Sequence, residues 1–301
     1  MSKPLSGILP ILPAPFTAHG ELDEDSFQAL VRHVVGRGVG GLTLFGLVTE
    51  FYKLTDAERA RLQTLLLAET SASETVAGII SITDHSWETA VERAQGAEAQ
   101  GADALMVLPP YFLAPSPAAI RQHLVRVIRS VQLPVIVQYA PVQTGVRLAP
   151  EFFVQLRDEL PNMAFVKVEA QPTGPYVGAL LDGSGGRLGA LAGYAGIQMP
   201  AVLARGAAGI QPSCSFVEVY VELWRRWQVD RAAFQALHLQ LLPYIVDWMQ
   251  SLEFVIRADK TIMHRRGLIA SDYCRAQGYA LDSAEAARIE QFLEQFGEWL
   301  A

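Results

Sequence analysis

The sequence predicts an α/β fold, a (β/α)8 TIM barrel with a C-terminal helical extension. Eight short runs rich in β-forming residues recur along the chain, and each is followed by a segment with helical periodicity. After Gln211 the strand-like runs stop and only helical patterns follow. With 301 residues, of which 50% are hydrophobic and 18% charged, the chain can bury a core of this size.

Strands that alternate with helices are typical of a parallel sheet, and eight such units are typical of a barrel. The predicted strands are Gly7–Leu12, Gly41–Gly46, Thr75–Ser81, Ala104–Leu108, Pro134–Tyr139, Met163–Glu169, Arg187–Ala192 and Ala207–Gln211. The helices predicted after them are Val217–Gln228, Arg231–Ile256 and Ser283–Leu300. Because no linker separates the parts, we expect residues 1–225 to form the barrel and residues 226–301 the extension, within one folding unit.

Local signals mark the helix boundaries. The segment Thr55-Asp56-Ala57-Glu58 has the form of a capping box, and Asp25-Ser26 precedes an apolar-periodic run. Pro150 stands where a helix is predicted to begin, a position at which its missing N–H does little harm. Pro243 lies inside a predicted helix and is expected to break or kink it.

Charge and composition narrow the range of partners. The formal net charge is −7, and no run of lysine and arginine occurs, so nucleic acid and anionic membrane surfaces are not expected partners. A small-molecule substrate is expected instead. The sequence begins without a signal-peptide pattern and has no apolar stretch of about 18 residues, from which we expect a soluble, cytoplasmic protein.

Metal chemistry is not indicated. None of the six histidines stands at ligand spacing with another histidine or with a cysteine, which disfavours a metal-dependent aldolase. Cys214 and Cys274 form neither a metal-ligand pattern nor a disulfide framework, as expected of a reducing compartment.

Lys167 is the residue that most strongly suggests chemistry. It lies in the apolar run Phe165–Glu169, where strand alternation puts Lys167 and Glu169 on one face and Val166 and Val168 on the other. Burial favours the neutral form of a lysine amine, and a neutral amine is a nucleophile toward carbonyl carbon. The alternative is a structural lysine that reaches water or pairs with Glu169.

Other polar groups stand at the ends of predicted strands, where barrels carry their catalytic residues. They are the loop Gly46-Leu47-Val48-Thr49, Tyr111 after the fourth strand, Gln138 and Tyr139 at the end of the fifth, and Gln211 at the end of the eighth. The loop Gly193-Tyr194-Ala195-Gly196 after the seventh strand has a composition that can cradle an anion. Glu50 is interpreted as structural, and Lys260 as a solvated residue or a subunit contact.

The chain resembles the dihydrodipicolinate synthase and N-acetylneuraminate lyase family, (β/α)8 enzymes that act on 2-keto acids through a Schiff base. The resemblance covers nearly the whole chain and is carried by Leu12-Pro13-Ala14-Pro15-Phe16, the segment 50–55, Pro109-Pro110-Tyr111, Phe165-Val166-Lys167 and the terminal helices. It implies that Lys167 forms a covalent imine without any further cofactor. It also implies that backbone N–H groups of Gly46, Leu47, Val48 and Thr49 hold the substrate carboxylate, and that the enzyme is a homotetramer.

Three departures from the family pattern bear on the substrate. Leu47 and Val48 replace two consecutive threonines, and Gln138 falls where the family has a catalytic tyrosine, with Tyr139 one residue later. Only a β-bulge would bring Tyr139 to that place, so Gln138 is taken as the aligned residue and Tyr139 is kept as a candidate. Gln143 stands where dihydrodipicolinate synthases have an arginine for the carboxylate of the second substrate.

The pattern Gln138-x-Ala140-Pro141, together with Lys167-Val168-Glu169, is similar to the sugar-acid branch of the family, such as L-2-keto-3-deoxyarabonate dehydratases. The implied function is a class I lyase, a dehydratase or aldolase acting on a 2-keto-3-deoxy sugar acid, with Lys167, Glu169, Tyr139 and Gln138 as catalytic residues. Gly46, Leu47, Val48, Thr49, Gln211 and Tyr111 are the predicted substrate-binding residues. Two alternatives stay open, namely a pyruvate-condensing synthase and a barrel that only binds a keto acid.

Overall fold

The computed structural model describes residues 3–300. It contains a strand at each of the eight predicted places. They are β1 (Gly7–Ile8), β2 (Gly41–Leu44), β3 (Ala77–Ser81), β4 (Ala104–Val107), β5 (Val135–Tyr139), β6 (Met163–Val168), β7 (Gly189–Ala192) and β8 (Gly209–Ile210). Several are shorter than predicted, because their first or last residues lie in turns or isolated bridges rather than in the hydrogen-bonded ladder.

Helices follow the strands in alternation. They are α1 (Glu24–Val35), α2 (Asp56–Ser71), α3 (Trp87–Ala99), α4 (Pro117–Arg129), α5 (Pro141–Thr144), α6 (Pro150–Glu159), α7 (Thr173–Ser184), α8 (Met199–Leu203), α9 (Val217–Val229), α10 (Arg231–Trp248), α11 (Leu252–Arg265) and α12 (Ser283–Leu300). Within residues 3–300, no helix combines the length and the hydropathy needed to cross a membrane. This succession of elements confirms the predicted α/β fold of eight strand–helix units with a helical C-terminal part.

The structure confirms two of the helix starts that were predicted from the sequence. Thr55 and Glu58 form the capping box at the start of α2, and α6 begins at Pro150. Pro243 does not break the helix, because α10 continues through this residue and ends at Trp248, and the predicted kink stays a prediction. The carbonyl of Leu239 loses its usual N–H donor to Pro243, but Leu239 is 60% exposed, so water can take the place of that donor.

The chain divides into two compact units. The first comprises the residues up to Ser6 and Ala77–Gln211, and the second comprises Gly7–Val76 and the residues from Pro212 onward. The predicted division at residues 225 and 226 stays a prediction.

In the first unit, β3 to β8 form a parallel ladder in chain order. Gln138 of β5 pairs in register with Lys167 of β6, and Lys167 pairs with Leu191 of β7. Because paired residues of neighbouring strands point to the same side, the register places Gln138 and Lys167 on one face. The register shifts once between β5 and β6, between Val135 and Ile136, well before this pair.

In the second unit, the residues after β1 continue the parallel pairing. Ile11 forms parallel bridges with both Thr43 of β2 and Ser213. The C-terminal helices pack through an aromatic cluster in which Phe216, Tyr244, Trp248 and Phe292 are buried and in ring contact. This cluster joins α10 and α12 to the residue that precedes α9.

Candidate active site

The site is built around Lys167 on β6. Its neighbours Val166 and Val168 are fully buried on one side of the sheet, and Lys167 lies on the other side with only 1% of its surface exposed. The β-branched neighbours favour the strand, and alternation then puts the lysine on the face opposite to theirs. Burial of this amine was predicted from the sequence, and the structure confirms it.

Glu169 lies on the same face as Lys167, as alternation predicted. Its Oε1 atom is 3.4 Å from Lys167 Nζ, and the glutamate is 7% exposed. The backbone N–H of Glu169 donates to the carbonyl of Tyr139 at 2.8 Å, which extends the β5–β6 pairing by one residue and holds the carboxylate at the strand end.

Gln138 completes the group. Its Nε2 atom donates to Glu169 Oε2 at 2.6 Å, and the side chain is buried. One carboxylate oxygen therefore faces the lysine amine and the other accepts from the glutamine amide. Charged acceptors strengthen such a bond, so Gln138 fixes the orientation of Glu169.

The structure does not bring Tyr139 to this group. No register shift occurs between Ile136 and Tyr139, so Tyr139 points to the opposite side of β5 from Gln138. There its hydroxyl accepts from the N–H of Leu148 at 3.2 Å and its ring contacts Phe153 and Tyr176. It also lines a cavity of about 610 Å³ of which neither Gln138 nor Lys167 is a lining residue.

The glycine loop after β7 does cradle an anion, and the anion is the side chain of Glu169. The N–H of Tyr194 donates to Glu169 Oε1 at 3.3 Å. A Cβ atom on Gly193 would lie 2.2 Å from that same oxygen, so only glycine leaves room for the carboxylate. Tyr194, Ala195 and Gly196 all have positive φ angles, which turns the loop tightly over Glu169.

Two hydroxyl groups on the same face were not picked out from the sequence. Ser81 and Thr83 at the end of β3 are buried, and their hydroxyl oxygens are 3.3 Å apart. The β3–β4–β5–β6 registers place Ser81 on the face that carries Phe165 and Lys167. Strand alternation up to Ser81 was the signal that could have found them.

The remaining predicted residues of this unit lie at strand ends. Gln211 follows β8, is buried, and donates its N–H to the carbonyl of Ala192 at 2.8 Å. Tyr111 follows β4, is half-buried, and its ring lies edge-on to the imidazole of His85 with 4.7 Å between centroids. The structure shows no direct hydrogen bond from Tyr111 to the Lys167 group.

The loop Gly46-Leu47-Val48-Thr49 belongs to the second unit and is described by itself. The N–H groups of Leu47 and Val48 meet no acceptor among the described residues, whereas those of Thr49 and Glu50 bond back to Gly46 and Leu47. The hydroxyl of Thr49 donates to the carbonyl of Leu12 at 2.6 Å, so it is committed to the backbone. The loop thus offers backbone donors and no hydroxyl proton.

Lys260 corrects the sequence-based interpretation. It is 0% exposed, not solvated, and its amine donates to Glu50 Oε1 and, at 3.2 Å, to the carbonyl of Tyr273. Burial lowers the pKa of Lys260, and the neighbouring carboxylate of Glu50 opposes that shift. Helical periodicity in α11 does not distinguish this position from a surface one, because the helix buries residues on several sides.

The Lys167 group can therefore combine two chemical functions. The amine is a candidate nucleophile for a carbonyl carbon, and the carboxylate beside it is a candidate proton acceptor. Both are held on one strand face, and the amide of Gln138 and the N–H of Tyr194 orient the carboxylate.

Curated relatives cover nearly the whole chain. The chain is 27% identical over 300 residues to 4-hydroxy-tetrahydrodipicolinate synthase of Acidobacterium capsulatum, which is 97% of this chain and 96% of that protein. It is 28% identical to L-2-keto-3-deoxyarabonate dehydratase of Azospirillum brasilense, covering 88% of this chain and 86% of that one. It is also 28% identical to the probable 2-dehydro-3-deoxy-D-pentonate aldolase YjhH of Escherichia coli, covering 90% and 91%.

Solved structures share the fold throughout. A dihydrodipicolinate synthase crystal structure matches with a TM-score of 0.89 at 24% identity, over 99% of this chain and all of that one. YagE of Escherichia coli, solved with pyruvate, matches with a TM-score of 0.87 at 25% identity, over 97% and 99%. These similarities confirm the (β/α)8 barrel. The model of the Dihydrodipicolinate synthetase family matches residues 4–296, so this chain belongs to that family and is a lyase as its members are.

Proposed function

We propose that Lys167 forms a Schiff base with C2 of a 2-keto-3-deoxy sugar acid and that the enzyme then eliminates water across C3 and C4. The observation that carries this proposal is the approach of Glu169 Oε1 to within 3.4 Å of Lys167 Nζ. The reaction needs no separate cofactor, because the iminium itself draws electrons from C3.

Lys167 fits the role of the nucleophile. It is nearly inaccessible to bulk water, and its contact at 3.4 Å with Glu169 is long for an ion pair. A lysine amine attacks the C2 carbonyl carbon, and loss of the carbinolamine hydroxyl as water then leaves the iminium.

Glu169 fits the role of the base at C3. In a lysine imine, C3 of the substrate is two bonds from Nζ, so a carboxylate that contacts Nζ also reaches the proton on C3. The C4 hydroxyl lies further from the imine nitrogen. Abstraction at C3 begins a dehydration, whereas aldol cleavage begins with removal of the proton from the C4 hydroxyl. The position of Glu169 therefore favours dehydration.

The position of Gln138 also supports Glu169 as the group that transfers protons. On the Lys167 face of β5 it presents an amide, which orients Glu169 but does not carry protons as a tyrosine hydroxyl does. Tyr139 keeps its hydroxyl on the opposite side of the strand. Proton transfer at the substrate then falls to Glu169.

The substrate carboxylate is assigned to the loop Gly46–Thr49. The resemblance to the family gives this role to the backbone donors of the loop, and the N–H groups of Leu47 and Val48 have no other acceptor in the described chain. Two N–H donors suit the two oxygens of a carboxylate.

A synthase is the second candidate, because the relative from Acidobacterium capsulatum bears that name and the match covers 96% of its length. Such a synthase condenses pyruvate with a second substrate whose carboxylate needs an anchor. Gln143, the residue at the anchoring position, is exposed and uncharged. The sugar-acid proposal needs no such anchor.

The test is reductive trapping followed by product analysis. Wild-type protein and Lys167→Met are each incubated with pyruvate or with 2-keto-3-deoxy-L-arabonate, reduced with borohydride, and read by intact mass and peptide mapping. We expect an adduct on Lys167 in the wild type and none in the variant. A folded wild-type protein that forms no adduct with either compound would refute the Schiff-base proposal.

Products then distinguish the reactions. Without reductant, dehydration yields a keto acid that is one water lighter than the sugar acid, and retro-aldol cleavage yields pyruvate. Glu169→Gln should still form the imine but lose about 10²- to 10⁴-fold in water elimination, which is the range for removal of a general base. Free pyruvate as the main product would assign the enzyme to the aldolases instead.

A further inference from the structure

The loop that is assigned to the substrate carboxylate is bounded by two residues in left-handed backbone conformation. Phe45 has φ of 65° and Glu50 has φ of 58°. Neither is a glycine, and a phenylalanine in this region is rare because its Cβ crowds the backbone. Conformations of this kind persist only where surrounding contacts enforce them.

Three contacts fix the loop on its N-terminal and inner sides. The guanidinium of Arg59 lies 4.4 Å from the ring centroid of Phe45. The hydroxyl of Thr49 bonds to the carbonyl of Leu12. A Cβ atom on Gly46 would lie 2.7 Å from Ile11 Cγ2, so the backbone already touches this side chain.

The C-terminal end of the loop is fixed by charge. Glu50 is 0% exposed, and its two carboxylate oxygens face two cations: Oε1 accepts from Lys260, and Oε2 accepts from Lys53 at 3.0 Å. Lys53 is itself tied to Glu253 at 2.8 Å and to the carbonyl of Arg275 at 3.0 Å. Glu50 is thus anchored to α11 and to the segment that follows it.

Lys260 is the deeper of the two cations. Its amine also bonds to the carbonyl of Tyr273 and lies 4.3 Å from the ring centroid of Phe16. A buried ion pair adds little net stability compared with an apolar pair of the same shape, and its best-attested use is to specify one arrangement. The arrangement that the Glu50–Lys260 pair specifies is the end of the loop.

We propose that Lys260 is a positioning residue. Through Glu50 it holds the backbone N–H groups of Leu47 and Val48 in the geometry that accepts the carboxylate of a 2-keto acid. The inference rests on the proposed function, which assigns the carboxylate to this loop and the imine to Lys167. It adds a determinant of substrate selection that touches neither the carboxylate nor the imine.

The experiment compares a charged and a neutral probe. Pyruvate and its amide, pyruvamide, both offer a carbonyl to Lys167, but only pyruvate carries the carboxylate. For each protein, the concentration that half-saturates the borohydride-trapped adduct is measured with both probes. Lys260→Met should raise this concentration for pyruvate by ~10- to 100-fold, the scale for misplacement of a binding group, and leave it unchanged for pyruvamide.

Two further variants control for folding. Arg265→Met removes a cation from the same helix, but Arg265 and Glu290 form an exposed pair, so this variant should behave as wild type. The double variant Glu50→Gln with Lys260→Met leaves no unpaired buried charge at this position, and it should show the same selective loss even if Lys260→Met alone unfolds. Circular dichroism verifies the fold of each.

The outcomes separate the two proposals. Wild-type protein that traps neither probe and also forms no adduct with 2-keto-3-deoxy-L-arabonate refutes the proposed function and this inference with it. If only the sugar acid is trapped, the sugar acid and its amide replace the two probes in the same comparison. Wild-type protein that traps pyruvate, together with a folded Lys260 variant that keeps the wild-type preference for pyruvate over pyruvamide, overturns the inference alone. An equal loss for both probes in the double variant would also overturn it, because general disorder does not select by charge.

Discussion

Each of the two units buries a lysine beside a glutamate, and the two pairs are built differently. Lys260 donates to Glu50 and to a backbone carbonyl, and a second lysine binds the other oxygen of Glu50. Among the described residues, the amine of Lys167 has one polar contact, at 3.4 Å with Glu169, whose carboxylate accepts hydrogen bonds from an amide and a backbone N–H.

The difference shows why burial alone does not identify a reactive lysine. Hydrogen bonds to acceptors hold the amine of Lys260 in a fixed role. At the Lys167–Glu169 pair, the neutral donors bond to the carboxylate and no hydrogen bond from residues 3–300 holds the amine, which can therefore attack a substrate. In the described part of the first unit hydrogen bonds hold the glutamate and not the lysine, whereas in the second unit they hold both partners.

The strongest test of the comparison removes each lysine. Lys167→Met should abolish borohydride trapping and lower turnover by more than ~10³-fold, because the covalent step has no other nucleophile. Lys260→Met should still form the adduct on Lys167 at high pyruvate concentration. Trapping that survives in Lys167→Met and disappears in Lys260→Met would reverse the assignment of the two lysines.

Removal of Lys260 should have its largest effect on the stability of the fold. Lys260→Met leaves the buried carboxylate of Glu50 with Lys53 alone, and breaking a buried pair costs about 3–5 kcal/mol of unfolding free energy. The double variant Glu50→Gln with Lys260→Met should recover most of that loss. Arg265→Met, at an exposed pair, should cost less than about 1 kcal/mol. Urea unfolding followed by circular dichroism measures all three.

The residue before Lys260 gives a pH-dependent test of the same unit. Burial raises the pKa of Asp259 to about 6, against an ordinary value of 3.8, although the Ser215 hydroxyl that donates to it at 2.5 Å opposes the shift. The folded chain thus holds this proton more tightly than the unfolded chain. Its contribution to stability is complete below the ordinary pKa and is lost as the pH rises through about 6.

Asp259→Asn removes this titration. Between pH about 3 and about 7 the unfolding free energy of the wild type should fall by about 3 kcal/mol relative to that of the variant. Urea unfolding at several pH values tests this, and trapping at Lys167 should be the same in both proteins. Parallel pH profiles would show that Asp259 does not titrate in this range.

The smallest predicted effect concerns the partner of Glu169. Gln138→Leu removes a hydrogen bond of 2.6 Å to a charged acceptor, worth about 1.5–3 kcal/mol, and should slow turnover by roughly 10- to 100-fold while imine trapping with pyruvate continues. Gln143→Leu, at an exposed position of α5, is the matched control and should be silent. A slow Gln143 variant beside a normal Gln138 variant would favour the synthase.

Most of the fold and the residues at the centre of the site could be predicted from the sequence. The period of two placed Lys167 and Glu169 on one face, and the same period assigned Gln138, rather than Tyr139, to that face. These inferences succeeded because strand alternation is a local property. Eight strands were recognised for the same reason, although their hydrogen-bonded lengths were overestimated.

Features that depend on distant partners were not predictable. Lys260 contacts Phe16, Glu50 and Tyr273, and the first two of these are far from it in sequence. The occupant of the Gly193 loop is a side chain 24 residues earlier, and only the fold reveals that the cradled anion belongs to the protein. Helix α10 continues through Pro243, and the carbonyl that loses its donor belongs to the exposed Leu239, an exposure that the sequence does not reveal.

The amide of Gln138 has a consequence for the working range of the enzyme. A tyrosine hydroxyl at this place would ionise near its ordinary pKa of about 10 and would then repel the carboxylate that it had oriented. A carboxamide has no proton to lose in water, so a rise in pH does not ionise the donor that bonds to Glu169. Alkaline conditions therefore leave the alignment of Glu169 intact.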